Sequence, residues 1–115
     1  MEDWKTTIGQ IRAVLFEEGG SWSAQCLDYD IAAQAKTFLE IHNELARVLV
    51  AHVAASVQLG RQPFLGINAA PQRFWELYEG GLRVESRMAS FSFTGADLPP
   101  IRPNLRIARS PTEVV

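Results

Sequence analysis

The stretch GGSWSAQCLDYDIAAQAKT, residues 19–37, places a cysteine, two aspartates, a tyrosine and a tryptophan close together. Asp28 and Asp30, joined by Glu17, could in principle hold a divalent cation for hydrolysis. Hard cations need several oxygen ligands from one shaped loop, and no third acid lies near the pair in sequence. Ordinary turn chemistry is the stronger reading, because aspartate bonds its own backbone in tight turns. Cys26 would need an electropositive, partly exposed setting to act as a nucleophile. Alternation instead turns it inward with Trp22 and Ala24, and Asp28 and Asp30 oppose a thiolate. His42 and His52 stand ten residues apart, nearly three helical turns, without HExxH spacing. Both are expected to pack against the core or a subunit interface. At an interface, their charge change near neutrality would make assembly pH-sensitive. GxSxG, P-loop, GxGxxG and CxxC motifs are absent. No catalytic residue, metal ligand or cofactor is therefore expected, and the chain reads as a non-enzyme.

Three strands and a helix must position these side chains. Ile8 to Phe16 is apolar and β-rich. Glu17-Glu18-Gly19-Gly20 reads as a turn, since glycine reaches positive φ without strain. Ser21 to Leu27 alternates, with Trp22, Ala24 and Cys26 on one face, as a half-buried antiparallel strand does. Leu27-Asp28-Tyr29-Asp30 is a second turn, and Ile31 to Ala35 alternates again. Thr37-Phe-Leu-Glu40 is a capping box. It opens a helix over about residues 38–59, with Phe38, Ile41, Leu45, Leu49 and Val53 as its apolar stripe and Gly60 as its stop. Arg61 to Ala70 is a loop. Pro71 starts a short second helix that ends at Gly80-Gly81. Leu82 to Phe93 reads as a late strand whose apolar phase shifts midway, as at a bulge. The order βββα-α-β implies an α+β two-layer sandwich, with a three-stranded meander backed by one long helix.

The chain has 115 residues, 47% of them apolar, which suits one domain. We divide it into a domain over residues 1–95 and, because of prolines 99, 100, 103 and 111, an extended tail over 96–115. Residues 1–81 carry six basic against ten acidic side chains, and residues 82–115 carry five against three. The net charge of −2 gives no case for nucleic acid, and the sparse arginines of the tail read as solvated. A single cysteine suits a reducing compartment. The opening residues lack a signal-peptide core, and Leu45–Val57 is too short and too interrupted to span a bilayer. A soluble cytoplasmic protein is expected.

The run VLFEEGGSWSAQCLDYDIAAQAKTFLEIHNELARVL resembles the N-terminal domain of the HicB antitoxin family. The matching features are Phe16, Gly19-Gly20, Trp22-Ser23-Ala24, Cys26-Leu27-Asp28, Ala33, Ala35 and Thr37. The resemblance covers about residues 9–58 and extends loosely to Phe93. It implies a partial ribonuclease-H-like fold without ribonuclease H catalysis. It also implies a partner, a small basic ribonuclease toxin covered by the antitoxin domain, and a tendency to homo-oligomers. The chain departs from the family in lacking glycine before Thr37 and in the Phe38-Leu39-Glu40 helix start. No ribbon-helix-helix or helix-turn-helix pattern follows in 82–115, so direct nucleic-acid binding is not expected.

Charge complementarity with a basic partner singles out Glu17, Glu18, Asp28, Tyr29 and Asp30 as contact candidates. The aromatic residues Phe64, Phe74, Trp75 and Tyr78 either form an anchor patch or pack their own segment onto the sheet; packing is favoured. Phe91 and Phe93, with Trp75 and Tyr78, are the candidates for a homo-oligomer interface, dimeric or tetrameric. An orphan assembly protein without a toxin is the alternative function.

Overall fold

The structure, a computed structural model, describes residues 10–83 and 102–108. Among the described residues it is an α+β fold with a five-stranded mixed sheet and two helices. Strands β1 (Gln10–Glu18), β2 (Ser21–Cys26) and β3 (Ala32–Ala35) form the expected antiparallel meander. Helix α1 (Phe38–Gln58) follows, then α2 (Gln72–Glu79), β4 (Leu82–Arg83) and β5 (Arg102–Ile107). The strand order is β3-β2-β1-β5-β4, with β5 parallel to β1 and antiparallel to β4.

Local chemistry explains the meander and the helix. Glu18 pairs with Ser21, so the β1–β2 turn is only Gly19-Gly20. Both glycines have positive φ, 60° and 82°, as the two-residue hairpin turn that matches strand twist requires. The Thr37 side chain accepts from the Glu40 amide at 3.1 Å and caps α1. Gly60, at φ 67°, lets the chain leave that helix.

The β1 side chains divide between two cores. Ile11, Ala13 and Leu15 face α1 with Ala24, Cys26, Ala33 and Leu105. The small residues Ala13, Ala24 and Ala33 leave a shallow seat, which the large side chains Ile41, Leu45, Leu49 and Val53 fill. All four of those helix side chains are fully buried, each contributing about 1.5–3 kcal/mol relative to exposure. Val14 faces the other way and meets Leu27, Ala70 and Tyr78, with Phe16, Phe74 and Trp75 packed against them. Helix α2 thus adds a partial third layer on the sheet face opposite α1.

The C-terminal third corrects the sequence reading. The tail assigned to 96–115 contains β5, which lies between β1 and β4 and buries Leu105 to 1% exposure. The prolines do favour extended backbone, and a strand with a neighbour along only part of its length tolerates one missing donor. Among the described residues β4 pairs with Ile107 and Arg106 and not with Pro103. Of the expected strand Leu82–Phe93, Leu82 and Arg83 are strand. Its remaining residues, including Phe91 and Phe93, lie outside the described residues. Gly81 marks a close approach of chains, since a Cβ there would stand 2.8 Å from the Ile107 carbonyl oxygen.

Candidate functional site

The β2–β3 turn, the loop over residues 61–70 and helix α2 converge on the end of β1 that carries Arg12. Asp28 is directed inward along the sheet. Its Oδ2 accepts the Arg12 amide at 2.8 Å, and its Oδ1 accepts Arg12 Nη2 at 2.7 Å and Nε at 3.2 Å. The same guanidinium lies 4.6 Å from the centre of the Trp75 ring. Arg12 therefore ties β1, the turn and α2 together through a charge-assisted fork and a cation–π contact. Asp30 is exposed, but its Oδ1 accepts from Gln25 Nε2 at 2.8 Å and its amide donates to the Asn68 carbonyl at 2.7 Å. Gln25 also donates to the Cys26 carbonyl, and the residue is 5% exposed.

Tyr29 belongs to an aromatic column. Its ring stacks on Phe64 with centroids 4.4 Å apart and 11° between planes, and Phe64 stacks on His52 at 4.7 Å. The Phe64 amide donates to His52 Nε2 at 2.9 Å. Nε2 is therefore an acceptor and the imidazole is neutral. Burial pushes the His52 pKa down and, with Asp28 as a smaller cause, raises the Tyr29 pKa. Cys26 is buried, and its thiol is pushed up to about 12 by burial and then by Asp28, which leaves it without thiolate at neutral pH. His42 packs in the core, donating from Nδ1 to the Phe38 carbonyl at 2.8 Å.

The His52 contact sets a pH dependence. A histidine whose pKa is lowered by folding takes up its proton in the unfolded chain first, near pH 6.5. Its contribution is full above that value and is lost as pH falls through the lower folded pKa. Urea midpoints should drop between about pH 7.5 and about pH 5.5. His52→Gln, whose amide oxygen can still accept from Phe64, should flatten that drop. An equal drop in the variant would assign it to other groups.

The candidate partner contacts therefore separate. Glu17 and Glu18 are exposed at the hairpin tip, with no ion pair among the described residues. Asp28, Tyr29 and Asp30 are engaged inside the molecule. Glu17 stands opposite Trp22, six residues along β2 from Asp28, or about 20 Å at the strand rise. The three carboxylates Glu17, Asp28 and Asp30 do not converge. No group of three metal-type ligands occurs among the described residues.

Of the oligomer candidates, Phe91 and Phe93 lie outside the described residues, and Trp75 and Tyr78 make contacts within the fold. Tyr78 is 6% exposed, packs on Val14, and lies under Arg106, whose guanidinium is 4.3 Å from the ring centre. Arg106 Nη1 also donates to the Tyr78 carbonyl at 3.2 Å, where the end of α2 favours a cation. Trp75 donates from Nε1 to the Ala70 carbonyl at 3.2 Å and has Arg12 over its ring. Both residues fasten α2 to the sheet. Phe64 belongs to the opposite core, so the four aromatics do not form one patch.

Sequence reasoning did not single out Arg12, Gln25 or the Phe64–His52 contact. Arg12 was the most legible of these, as a cation at the solvent-phase position of an otherwise apolar strand.

Comparisons with known proteins add no identity: no family model, curated protein or solved structure matches the chain. No described helix is long and apolar enough to cross a membrane.

Proposed function

We propose that the chain is a non-catalytic, HicB-like protein-binding module that takes a small basic protein at the tip of the β1–β2 hairpin. The family part of this reading rests on the sequence pattern over residues 9–58. The observation that carries the contact site is the pair Glu17 and Glu18. They are exposed at the end of β1, beside the two-residue turn, with no ion pair among the described residues, while Asp28 and Asp30 are engaged in contacts within the fold. A reducing cytoplasm suits the single buried cysteine.

The test is affinity capture of the full chain from its native host, followed by titration of the recovered partner. A small basic protein in stoichiometric amount is the expected result. Glu17→Gln with Glu18→Gln should weaken its binding several-fold, slow association and flatten the salt dependence, as rim charges do. Asp28→Asn should leave binding unchanged and lower thermal stability instead, because it removes the Arg12 fork. Capture of no basic partner, or unchanged binding by the Glu17/Glu18 variant, overturns the reading.

A further inference from the structure

Strand β3 stands at one end of the sheet order, and its outer edge follows from the ladder on its inner edge. The Cys26 amide donates to the Ile31 carbonyl at 2.9 Å, so Ile31 points its carbonyl at β2, while its amide turns back to the Tyr29 carbonyl. Groups alternate along a strand. Ala33 and Ala35 therefore also face β2, while Ala32, Gln34 and Lys36 direct theirs outward. The outward amide of Asp30 is already taken by the Asn68 carbonyl, so among the described residues the unpaired edge begins at Ala32. It ends where Thr37 caps α1.

Protein edges are usually guarded by a charge, a proline or a bulge within the strand. The four residues of β3, AAQA, contain no charge and no proline, and their pairing with β2 is unbroken. Ala32 and Gln34 are exposed. The nearest charges are Asp30 on one side and Lys36 on the other, and both are exposed. A strand with an acid at one end and a base at the other is complementary in charge to an antiparallel copy of itself.

We infer that β3 is a homodimerisation edge, pairing antiparallel with a second copy of this chain about a two-fold axis at Gln34. In this register Gln34 faces its own copy, and Ala32 of each protomer faces Lys36 of the other. The outward amides and carbonyls of all three residues are then paired. Asp30 becomes the diagonal neighbour of the second copy's Lys36, within reach of a long side chain. An axis at Ala33 would set the second copy's Lys36 against the Asp30 amide, which Asn68 already holds. The contact joins the five described strands of each protomer into one sheet, with α1 of both protomers on the same face. The contact is isologous, as a closed two-fold requires. It is also short, so the dimer is concentration-dependent. It uses neither Glu17 nor Glu18 and stands independently of partner binding at the hairpin tip.

The full chain should show a monomer–dimer equilibrium in sedimentation velocity across a concentration series. Gln34→Pro removes an outward amide only, so the β2–β3 ladder survives; the variant should be monomeric with an unchanged circular dichroism spectrum. Gln34→Cys should form an interchain disulfide under mild oxidation, because residue 34 meets its own copy. Ala32→Cys should not, since residue 32 faces residue 36. A wild-type chain that stays monomeric throughout, a Gln34→Pro variant that still dimerises, or crosslinking at residue 32 rather than 34 overturns the inference. The cysteine pair decides the register even if the proline variant does not fold.

Discussion

A chain ending at residue 95 will not fold. Truncation there removes β5, which supplies the parallel partner of β1 from Gln10 to Leu15 and carries β4 on its other side. The burial of Leu105 is lost, about 1.5–3 kcal/mol. So are the ladder hydrogen bonds, each about 0.5–1.5 kcal/mol net, and the Arg106 contact that holds the end of α2. The sum is comparable to the whole stability of an ordinary domain, about 5–15 kcal/mol. The truncated chain should show no cooperative urea transition and poorly dispersed amide resonances. A cooperative transition at the full-length midpoint would show that β5 is dispensable. Truncation also cannot report on assembly, because loss of a subunit contact would be masked by loss of the fold.

Replacing Phe64 should be nearly as damaging, with an inverted preference between alanine and glycine. Phe64 is 3% exposed, sandwiched between Tyr29 and His52, and its amide is bound by His52. Removing such a ring costs about 3–5 kcal/mol. Its φ is 67°, the left-handed region that costs a residue bearing a Cβ about 1–2 kcal/mol. Phe64→Gly relieves that strain and Phe64→Ala does not. The glycine variant should therefore be at least as stable as the alanine variant, although glycine is ordinarily the worse of the two through its unfolded-state entropy. Urea denaturation of both variants checks this. An alanine variant clearly more stable than the glycine variant would mean that the surrounding loop relaxes and the strain is absent.

The acidic candidates show how far the sequence reached towards the site. Glu17 and Glu18 were legible because their setting is local: two glycines close the turn and leave the preceding residues at its tip. The role of Asp28 was not, because its partner Arg12 lies sixteen residues earlier on a neighbouring strand. The composition of Trp75 and Tyr78 allowed a binding surface or, as the favoured reading, packing of their own segment onto the sheet, and their contacts are of the second kind. His52 and Phe64 each stand out in the sequence, yet their hydrogen bond depends on a loop returning to the end of a helix.

By itself the sequence determined what forms within a few residues of its cause. Those features are the Gly19-Gly20 turn, the alternation of β2, the Thr37 cap and the 3.6-residue stripe of α1. Each depends on backbone preference or on one apolar face, and such terms act between near neighbours. Tertiary structure decided the rest: β5 joined to β1 across more than eighty residues, the arginine fork on Asp28, and the side of the sheet that α2 covers. These choices belong to contacts made only after the chain has collapsed. There the gain from completing a ladder and sealing a core outweighs a local preference such as that of the prolines for a solvated tail.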